Sequence, residues 1–512
     1  MYNFKNFIDK KINVIYNDDN DKGVEGSSNG FVVFLSSTEE LRGAHPRNIY
    51  PDNNFMEVNA RAVIERRKVN MRNTSKYDVD GVPSLKEALP LGFQHTLAMI
   101  VSNMLPGVLI AGILGYTGNR AANFVQCMML SAAIGTLLQL YTVKIFKGVR
   151  TGSGLPIVMG MNYVFLGVYL SASSSFGMNA LMGAIVVGGI FMVFLGFFIQ
   201  KILRYFTPTV TAVVILALAC DLIKVAMRNI GGGTSSDTYG SSINFFFGLG
   251  TALLIVLLGH FGKGFVKELS ILIGMIVAYI VAVFAGLVDF SSVAEASWIA
   301  IPKPFAFGAL EFNPSVIIMV ILLYIIAVAD YLGATTVCTN GAFGRDVTDK
   351  EVSSLVVGVG LGSVVSGIFN GMPVGVYSQN CAMVAMNKVV SRFVIAMSTV
   401  ALFLGGFSPK IGAIFQTIPN CVLGGATLVI FSQIFTSGIS IVKMNNLSKE
   451  QLTIVGVASA FGIGYSYAPE VIENLPSMAQ TILSGSNVVI GCIIALVLQG
   501  LFSLKKQKET EK

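Results

Sequence analysis

Asp330 is the residue of this sequence with the clearest chemical signal, because it is an acid inside the apolar run 325–333. In a lipid environment a carboxylate at such a position costs at least ~2.5–3.5 kcal/mol unless it faces a polar cavity or a partner. A carboxylate can accept two N–H bonds from a flat heterocycle, and it can also exchange a proton. The alternative interpretation is a structural acid bonded to the backbone amides of a broken helix.

Two neighbouring amides, Gln379 and Asn380, follow a Pro-Val-Gly sequence. A primary amide offers one donor and one acceptor side by side. This arrangement matches the C=O/N–H edge of a nucleobase, so we interpret both residues as candidates for binding a ring. Amides also connect helices to each other in membranes, and this second interpretation stays open.

His95 lies early in an apolar segment, within residues 92–99 (GFQHTLAM). A histidine there could relay protons. It could equally be a packing residue that is hydrogen-bonded to a neighbouring helix. His45 and His260 give no signal of function.

Two short stretches share the order Pro, then Gly, then an aromatic residue beside polar amides. They are residues 155–163 (LPIVMGMNY) and residues 372–380 (MPVGVYSQN). Unwound backbone at membrane depth is tolerated where it lines a cavity, and paired broken segments in two halves of a transporter point to its binding site. The two stretches therefore predict a binding site where they meet. Gly and Pro are also simply commoner in membrane helices than in soluble ones.

The composition places most of the chain in lipid. Of 512 residues, 53% are hydrophobic and 12% are charged, against about 25% charged in ordinary soluble domains. The six cysteines are scattered singly through apolar segments, which predicts neither a metal site nor a redox dithiol. The net charge of +7 is distributed over short loops, so membrane orientation explains it better than nucleic-acid binding. No cofactor is implied.

The apolar segments predict an all-α polytopic membrane protein with about fourteen transmembrane segments. Most approach the ~20 residues that a helix needs to cross the hydrocarbon core. The two broken stretches fall in the third segment of each set of seven, which predicts two inverted repeats. The segments lie near residues 90–113, 121–143, 155–173, 178–200, 206–226, 243–261, 268–288, 313–337, 352–371, 374–388, 391–406, 411–437, 451–468 and 481–503.

The polar ends complete the predicted organisation. Residues 1–88 are expected to be a polar, mostly disordered cytoplasmic leader, residues 89–504 the transporter domain, and residues 505–512 a cytoplasmic tail. Met71 offers an alternative start, and whether residues 1–70 belong to the native protein stays open. Because Lys and Arg are retained on the cytoplasmic side, the loop charges predict that both termini are cytoplasmic.

At these residues the chain resembles the nucleobase-ascorbate transporter family, whose members include xanthine, uric acid and uracil permeases. The most specific piece is residues 378–393 (SQNCAMVAMNKVVSRF), which is similar to the family signature of Gln/Glu-Asn followed by Gly, Thr and Ser-Arg. Residues 92–99 and 155–160 are close to family patterns in the corresponding spans. The resemblance extends from about residue 85 to 505.

The resemblance implies fourteen spans in two inverted repeats of seven, a core and a gate domain, extended stretches in spans 3 and 10, and a homodimer. By matching positions, Asp330 takes the place of the family's substrate-binding Glu, Gln379 that of its main amide or acid, and Asn380 that of the neighbouring Asn. Tyr163, Tyr377 and Ser378 fall where the family contacts the substrate through rings and main-chain groups. His95 matches the first-span histidine, with Asn162 expected as support.

Five residues depart from the family pattern, and these departures bear on which substrate is bound. Asp330 is one methylene shorter than the usual Glu, and Ala382 and Asn387 replace the signature Gly and Thr. Val359 and Ala334 stand where relatives place an acid and a polar residue.

We therefore expect a secondary transporter of the plasma membrane, not an enzyme, that imports a purine-type nucleobase such as xanthine or uric acid with protons. Sodium is less favoured, because no second acid or hydroxyl cluster obviously builds a sodium cage. The alternatives are a uracil or pyrimidine permease of the same fold and an anion transporter of the sulfate-permease type.

Overall fold

The computed structural model describes residues 76–510, except 117, 147, 204–206, 235, 445, 466, 477–479, 481–482 and 484–486. Residues 1–75 lie outside the described residues, so the structure does not test whether residues 1–70 are native. The described part of the leader is short, because the first helix begins at Leu85 rather than at residue 89. At the other end, the last helix continues to Thr510, through most of the predicted tail.

Helices make up most of the described chain. They are α1 Leu85–Ile113, α2 Gly118–Leu140, α3 Leu166–Gly196, α4 Ile199–Leu203, α5 Pro208–Ile230, α6 Ser242–Phe261, α7 Phe265–Glu268, α8 Ser270–Phe284, α9 Ser291–Glu295, α10 Pro314–Phe343, α11 Asp349–Ile368, α12 Ser378–Asn387, α13 Arg392–Gly406, α14 Pro409–Gln416, α15 Asn420–Met444, α16 Lys449–Tyr465 and α17 Asn487–Thr510. Four short strands are β1 Lys144–Phe146, β2 Val149–Arg150, β3 Met159–Met161 and β4 Val374–Val376. The fold is helical, as the sequence predicts.

Local sequence signals set several helix boundaries. The side chain of Thr207 accepts a hydrogen bond from the Val210 amide at the start of α5, where Pro208 occupies the first turn. Thr348 and Glu351 form a capping box at the start of α11. Such caps satisfy amides that have no partner within the helix. In α3 the chain bends at Gly177, whose φ of 81° is a left-handed conformation that glycine adopts without steric cost.

The third and tenth spans are broken by extended backbone, as the Gly and Pro pattern predicts. β3 pairs with β4 in antiparallel fashion, with Gly160 opposite Gly375. The Tyr377 amide donates to the Val158 carbonyl at 3.0 Å, which continues the pairing past the strand. A short 3₁₀-helix, Tyr163–Phe165, follows β3, and α12 follows β4. The two broken spans therefore meet at their breaks.

Within the described residues, eight helices are long and apolar enough to cross a membrane, and the pair α13 and α14, bent by 82°, would add a ninth. Each of the fourteen predicted segments overlaps a described helix, with the third and fourth segments sharing α3, and the count of fourteen crossings stays a prediction. A further segment differs from its predicted form. Residues 411–437 are divided between α14, which ends at Gln416, and α15, which begins at Asn420.

Helix packing divides the chain into two groups. The core group comprises α1–α3 and α10–α13, and the gate group comprises α5, α6, α8 and α15–α17. Within the groups, the contacts follow a repeat of seven spans. Where two spans are in contact, the two spans seven positions away from them along the chain are in most cases also in contact. For example, α2 packs on α13 as α11 packs on α3, and α6 packs on α15 as α16 packs on α5. This exchange pattern is expected of two repeats of seven spans, and the two groups correspond to the core and gate domains that the family resemblance implies.

Candidate functional site

A cavity of about 340 Å³ lies between the core group and the gate group. Its size falls within the ~300–1,000 Å³ typical of small-molecule sites. The core wall carries most of the polar side chains, beside apolar ones, whereas the gate wall is mainly aliphatic. The core wall includes Ser102, Asn162, Tyr163, Asp330, Tyr377, Ser378, Gln379 and Ala382. The gate wall includes Val214, Ile215, Leu218, Ile430, Gln433, Ile434 and Ser437.

Asp330 faces this cavity from α10. Ile326, one helical turn earlier, lines the same cavity, so this face of α10 combines an apolar contact with a carboxylate. The Asp330 side chain is half-buried, and among the hydrogen bonds of the described residues none involves its carboxylate. The geometry therefore does not resemble a structural acid held by backbone amides. Both carboxylate oxygens are available to a ligand.

Ser378 and Gln379 form the first turn of α12, directly after β4 and Tyr377. The first amides of a helix lack partners within it, and the helix dipole is positive at this end. Gln379 is half-buried and Ser378 is exposed to the cavity. Within the described chain, the Gln379 amide makes no hydrogen bond. The core wall therefore presents an unpaired carboxylate, Asp330, and an unpaired amide, Gln379, to the cavity.

The two tyrosines of the site are held by hydrogen bonds to backbone. The Tyr163 hydroxyl donates to the Ser102 carbonyl at 2.7 Å, and its ring packs edge-on against Phe431. The Tyr377 hydroxyl donates to the Met161 carbonyl at 3.4 Å. Both residues are buried apart from the surface that lines the cavity. They provide rigid aromatic surface against which a planar ring can pack.

Asn162 connects the broken third span to α10. Its side-chain oxygen accepts from the Val164 amide at 2.9 Å, which caps the short 3₁₀-helix. Its side-chain nitrogen donates to the Tyr331 hydroxyl at 2.9 Å. Tyr331 is the neighbour of Asp330 in α10, so Asn162 ties β3 to the helix that presents the carboxylate.

Asn380 and His95 do not line the cavity. The Asn380 side chain is fully buried, and its Nδ2 donates to the His95 carbonyl at 2.9 Å and lies 3.2 Å from His95 Nδ1. The pair joins α12 to α1 behind the site. Because successive helical residues are rotated by about 100°, Gln379 faces the cavity while Asn380 faces the neighbouring helix. The structure thus separates two amides that the sequence groups together.

Three polar lining residues were not predicted: Ser102 of α1, and Gln433 and Ser437 of α15. Gln433 and Ser437 are four residues apart and share one face of the helix. That spacing is visible in the sequence, but it does not reveal which neighbour the face meets. They are the only polar contribution of the gate group to the described lining.

The family profile described as "Permease family", Xan_ur_permease, matches residues 86–471. The chain belongs to this family, the nucleobase-ascorbate transporters. It is accordingly a multi-pass membrane transporter and not an enzyme. Uric acid permease PucK of Bacillus subtilis is 32% identical over 429 residues, which are 83% of this chain and 97% of that protein. Xanthine permease of the same organism is 31% identical, over 83% of this chain and 96% of that protein.

Among solved structures, this permease is similar to the transmembrane domain of the cyanobacterial bicarbonate transporter BicA. The TM-score is 0.54 with 14% identity, over 80% of this chain and 97% of that one. At this identity the likeness concerns the fold alone.

The sequence departures of this permease differ in their distance from the cavity. Ala382 lies one turn after Ser378 and lines the cavity. Its methyl group therefore occupies space that a glycine would leave open. Val359 and Ala334 are buried and are not part of the lining. Within the described residues, the departures that touch the cavity are therefore Asp330 and Ala382.

Proposed function

We propose that this permease is a secondary active transporter that imports a purine-type nucleobase such as xanthine or uric acid. The observation that supports this most directly is the pair of unpaired side chains, Asp330 and Gln379, facing one cavity of about 340 Å³. The names of the relatives support the same substrate class.

The proposed roles follow from the chemistry of each side chain. Asp330 accepts N–H bonds from one edge of the ring, and Gln379 pairs with a C=O/N–H edge. Tyr163 and Tyr377 pack against the ring faces, and Ser378 presents amides at the start of α12. Asn162 positions the site through Tyr331.

The placement of Asn380 changes its proposed role. Its bonds to His95 make it a positioning residue that fixes the start of α12, rather than a residue that touches the ring. His95 is then the structural partner of Asn380, and a proton relay through it would require a path to the cavity.

We further propose that the coupling ion is a proton, that the transporter is a homodimer of the plasma membrane, and that both termini are cytoplasmic. The coupling rests on Asp330, because a carboxylate in a cavity can take up and release a proton as the site opens to each side. The loop charges support the orientation.

Uptake into vesicles tests the substrate and the ion together. Labelled xanthine, uric acid, uracil and sulfate are compared with and without an inward proton gradient, in the presence and absence of sodium. We expect saturable purine uptake that a protonophore abolishes and that sodium removal leaves unchanged. Uptake of uracil alone would favour the pyrimidine alternative, and sulfate uptake would contradict the proposal. Sodium-dependent uptake that ignores the protonophore would overturn the proton coupling.

A further inference from the structure

A second polar cavity, of about 280 Å³, is separate from the substrate cavity. We call it the basic cleft, defined by Arg150, Arg345, Lys350 and Arg392. It is formed where the β1–β2 hairpin, the loop from α10 to α11, the first turn of α11 and the start of α13 meet. The hairpin leads through residues 151–158 directly into β3. The cleft therefore adjoins the segment that leads into β3, which carries one half of the substrate site.

Two of these four cations are already paired. Arg345 makes two hydrogen bonds to the Glu351 carboxylate, at 2.6 and 2.8 Å, which raise the pKa of the guanidinium further above its usual range. Arg392 pairs with Asp80 at 2.8 Å, and its Nε donates to the Gly154 carbonyl at 2.7 Å. These pairs fix the rim of the cleft. The charges of Arg345 and Arg392 are largely compensated, so these two residues contribute little to attracting a ligand.

The other two cations, Arg150 and Lys350, have no acidic partner among the described residues. The Arg150 side chain is half-buried, and its backbone amide is held by the Ser354 hydroxyl at 3.0 Å. The Lys350 ammonium extends toward the hairpin, where its Nζ lies 3.9 Å from the position that a Cβ would take on Gly148. Of the four cations around the cleft, two are paired with the carboxylates of Glu351 and Asp80. The positive charges of Arg150 and Lys350 are not compensated by such a pair.

We propose that the basic cleft binds a phosphoryl anion through Arg150 and Lys350. A guanidinium offers a planar fork of donors that matches phosphate oxygens, and an ammonium adds a compact charge. In a partly enclosed site such contacts are screened less by salt than on an open surface. The ligand is either the headgroup of an anionic phospholipid or a soluble phosphate, since both present the same group. A bound anion would connect the hairpin before β3 to the first turn of α11.

The test uses the purified full-length transporter and three variants. Arg150→Gln and Lys350→Gln remove the unpaired charges singly, and Lys263→Gln removes an exposed lysine of the loop between α6 and α7 as the matched control. In the first arm, thermal unfolding in detergent is followed against inorganic phosphate, with chloride at equal ionic strength as reference. In the second arm, native mass spectrometry follows retention of phosphatidylglycerol against phosphatidylcholine.

We expect wild type and Lys263→Gln to show saturable binding in at least one arm, and each cleft variant to weaken it about tenfold or more. Loss confined to the lipid arm identifies a headgroup site, and loss confined to the phosphate arm identifies a soluble ligand. The proposal is overturned if chloride reproduces the effect of phosphate and no phosphatidylglycerol is retained selectively. It is equally overturned if the cleft variants bind as the control does.

Discussion

Gly160 lies directly opposite Gly375 where β3 pairs with β4. Both positions are closed to any side chain. A Cβ on Gly160 would overlap the ring of Tyr377, and a Cβ on Gly375 would lie 2.8 Å from Cε1 of Tyr331. The two glycines therefore allow two tyrosines to lie against the paired strands, next to the substrate cavity.

Gly160→Ala should reduce ligand binding, because the new methyl group must displace the Tyr377 ring from the cavity wall. We expect at least a tenfold rise in the dissociation constant, measured on purified protein with the substrate that the uptake panel identifies. Gly456→Ala is the matched control, since a Cβ there meets no atom within 4 Å. Equal affinity in both variants would contradict the proposed contact.

Asp330→Asn should lower affinity while leaving the fold intact, because the carboxylate has no structural hydrogen bond to lose. A charge-assisted hydrogen bond contributes roughly 1.5–3 kcal/mol, which corresponds to about ten- to a hundredfold in dissociation constant. Asp330→Glu should keep some binding and change the preference among ligands. Titration of each variant with the purine and pyrimidine panel measures both effects.

Asp221→Asn is the matched control for this pair of variants. Asp221 is a half-buried acid of α5 that lies outside the lining of the substrate cavity and accepts a 2.6 Å hydrogen bond from Asn487. Its neutralisation should leave ligand affinity unchanged. A folded Asp330→Asn protein that binds as tightly as wild type would show that the site has been misplaced.

Gln379→Glu should shift preference toward uracil-like rings, because a carboxylate accepts two N–H bonds whereas the amide offers one donor and one acceptor. A mispaired buried polar group can discriminate by several kcal/mol, on the order of a hundredfold or more. Competition by purines and pyrimidines against a labelled ligand measures the shift. Gln200→Glu, at an exposed position of α4 outside the cavity lining, is the control for added charge. A competition profile of Gln379→Glu identical to wild type would argue against Gln379 as a ligand contact.

Asn380→Ala should lower thermal stability more than affinity, because it removes the side-chain hydrogen bond from Asn380 to the His95 carbonyl and the packing of a fully buried side chain. A hydrogen bond of this kind contributes about 0.5–1.5 kcal/mol. Asn387→Ala, at the exposed end of the same helix, should leave the unfolding temperature unchanged. If Asn380→Ala instead unfolds like wild type and loses binding a hundredfold, Asn380 touches the ligand after all.

The sequence predicts the breaks of spans 3 and 10 because Pro, Gly and polar residues have local effects on backbone. It does not predict that Gly160 meets Gly375, since strand register depends on how the two repeats pack. The break between Gln416 and Asn420 was also missed, although Thr417 and Pro419 interrupt the apolar run there.

Side-chain direction is the main source of the remaining differences. Asp330 and Gln379 were expected at one site and line one cavity, but Asn380 points away, since a rotation of one residue changes the helix face. Asp221 was not recognised as a second acid within a span, although the sequence places it in the segment 206–226; only its partner, Asn487, required the structure. Predicting Gln433 and Ser437 as lining residues would have required knowing that this face of α15 meets the cavity.

The aliphatic gate wall has a consequence for the speed of transport. Val214, Ile215, Leu218 and Ile430 have side chains that make no directional bonds, so their contacts could be exchanged for equivalent ones if the core group moved relative to the gate group during transport. The hydrogen-bonded strands β3 and β4 would stay paired in such a movement and keep the ligand's partners together. The size and shape of these aliphatic side chains would then influence how fast the ligand crosses as well as how it packs in the cavity.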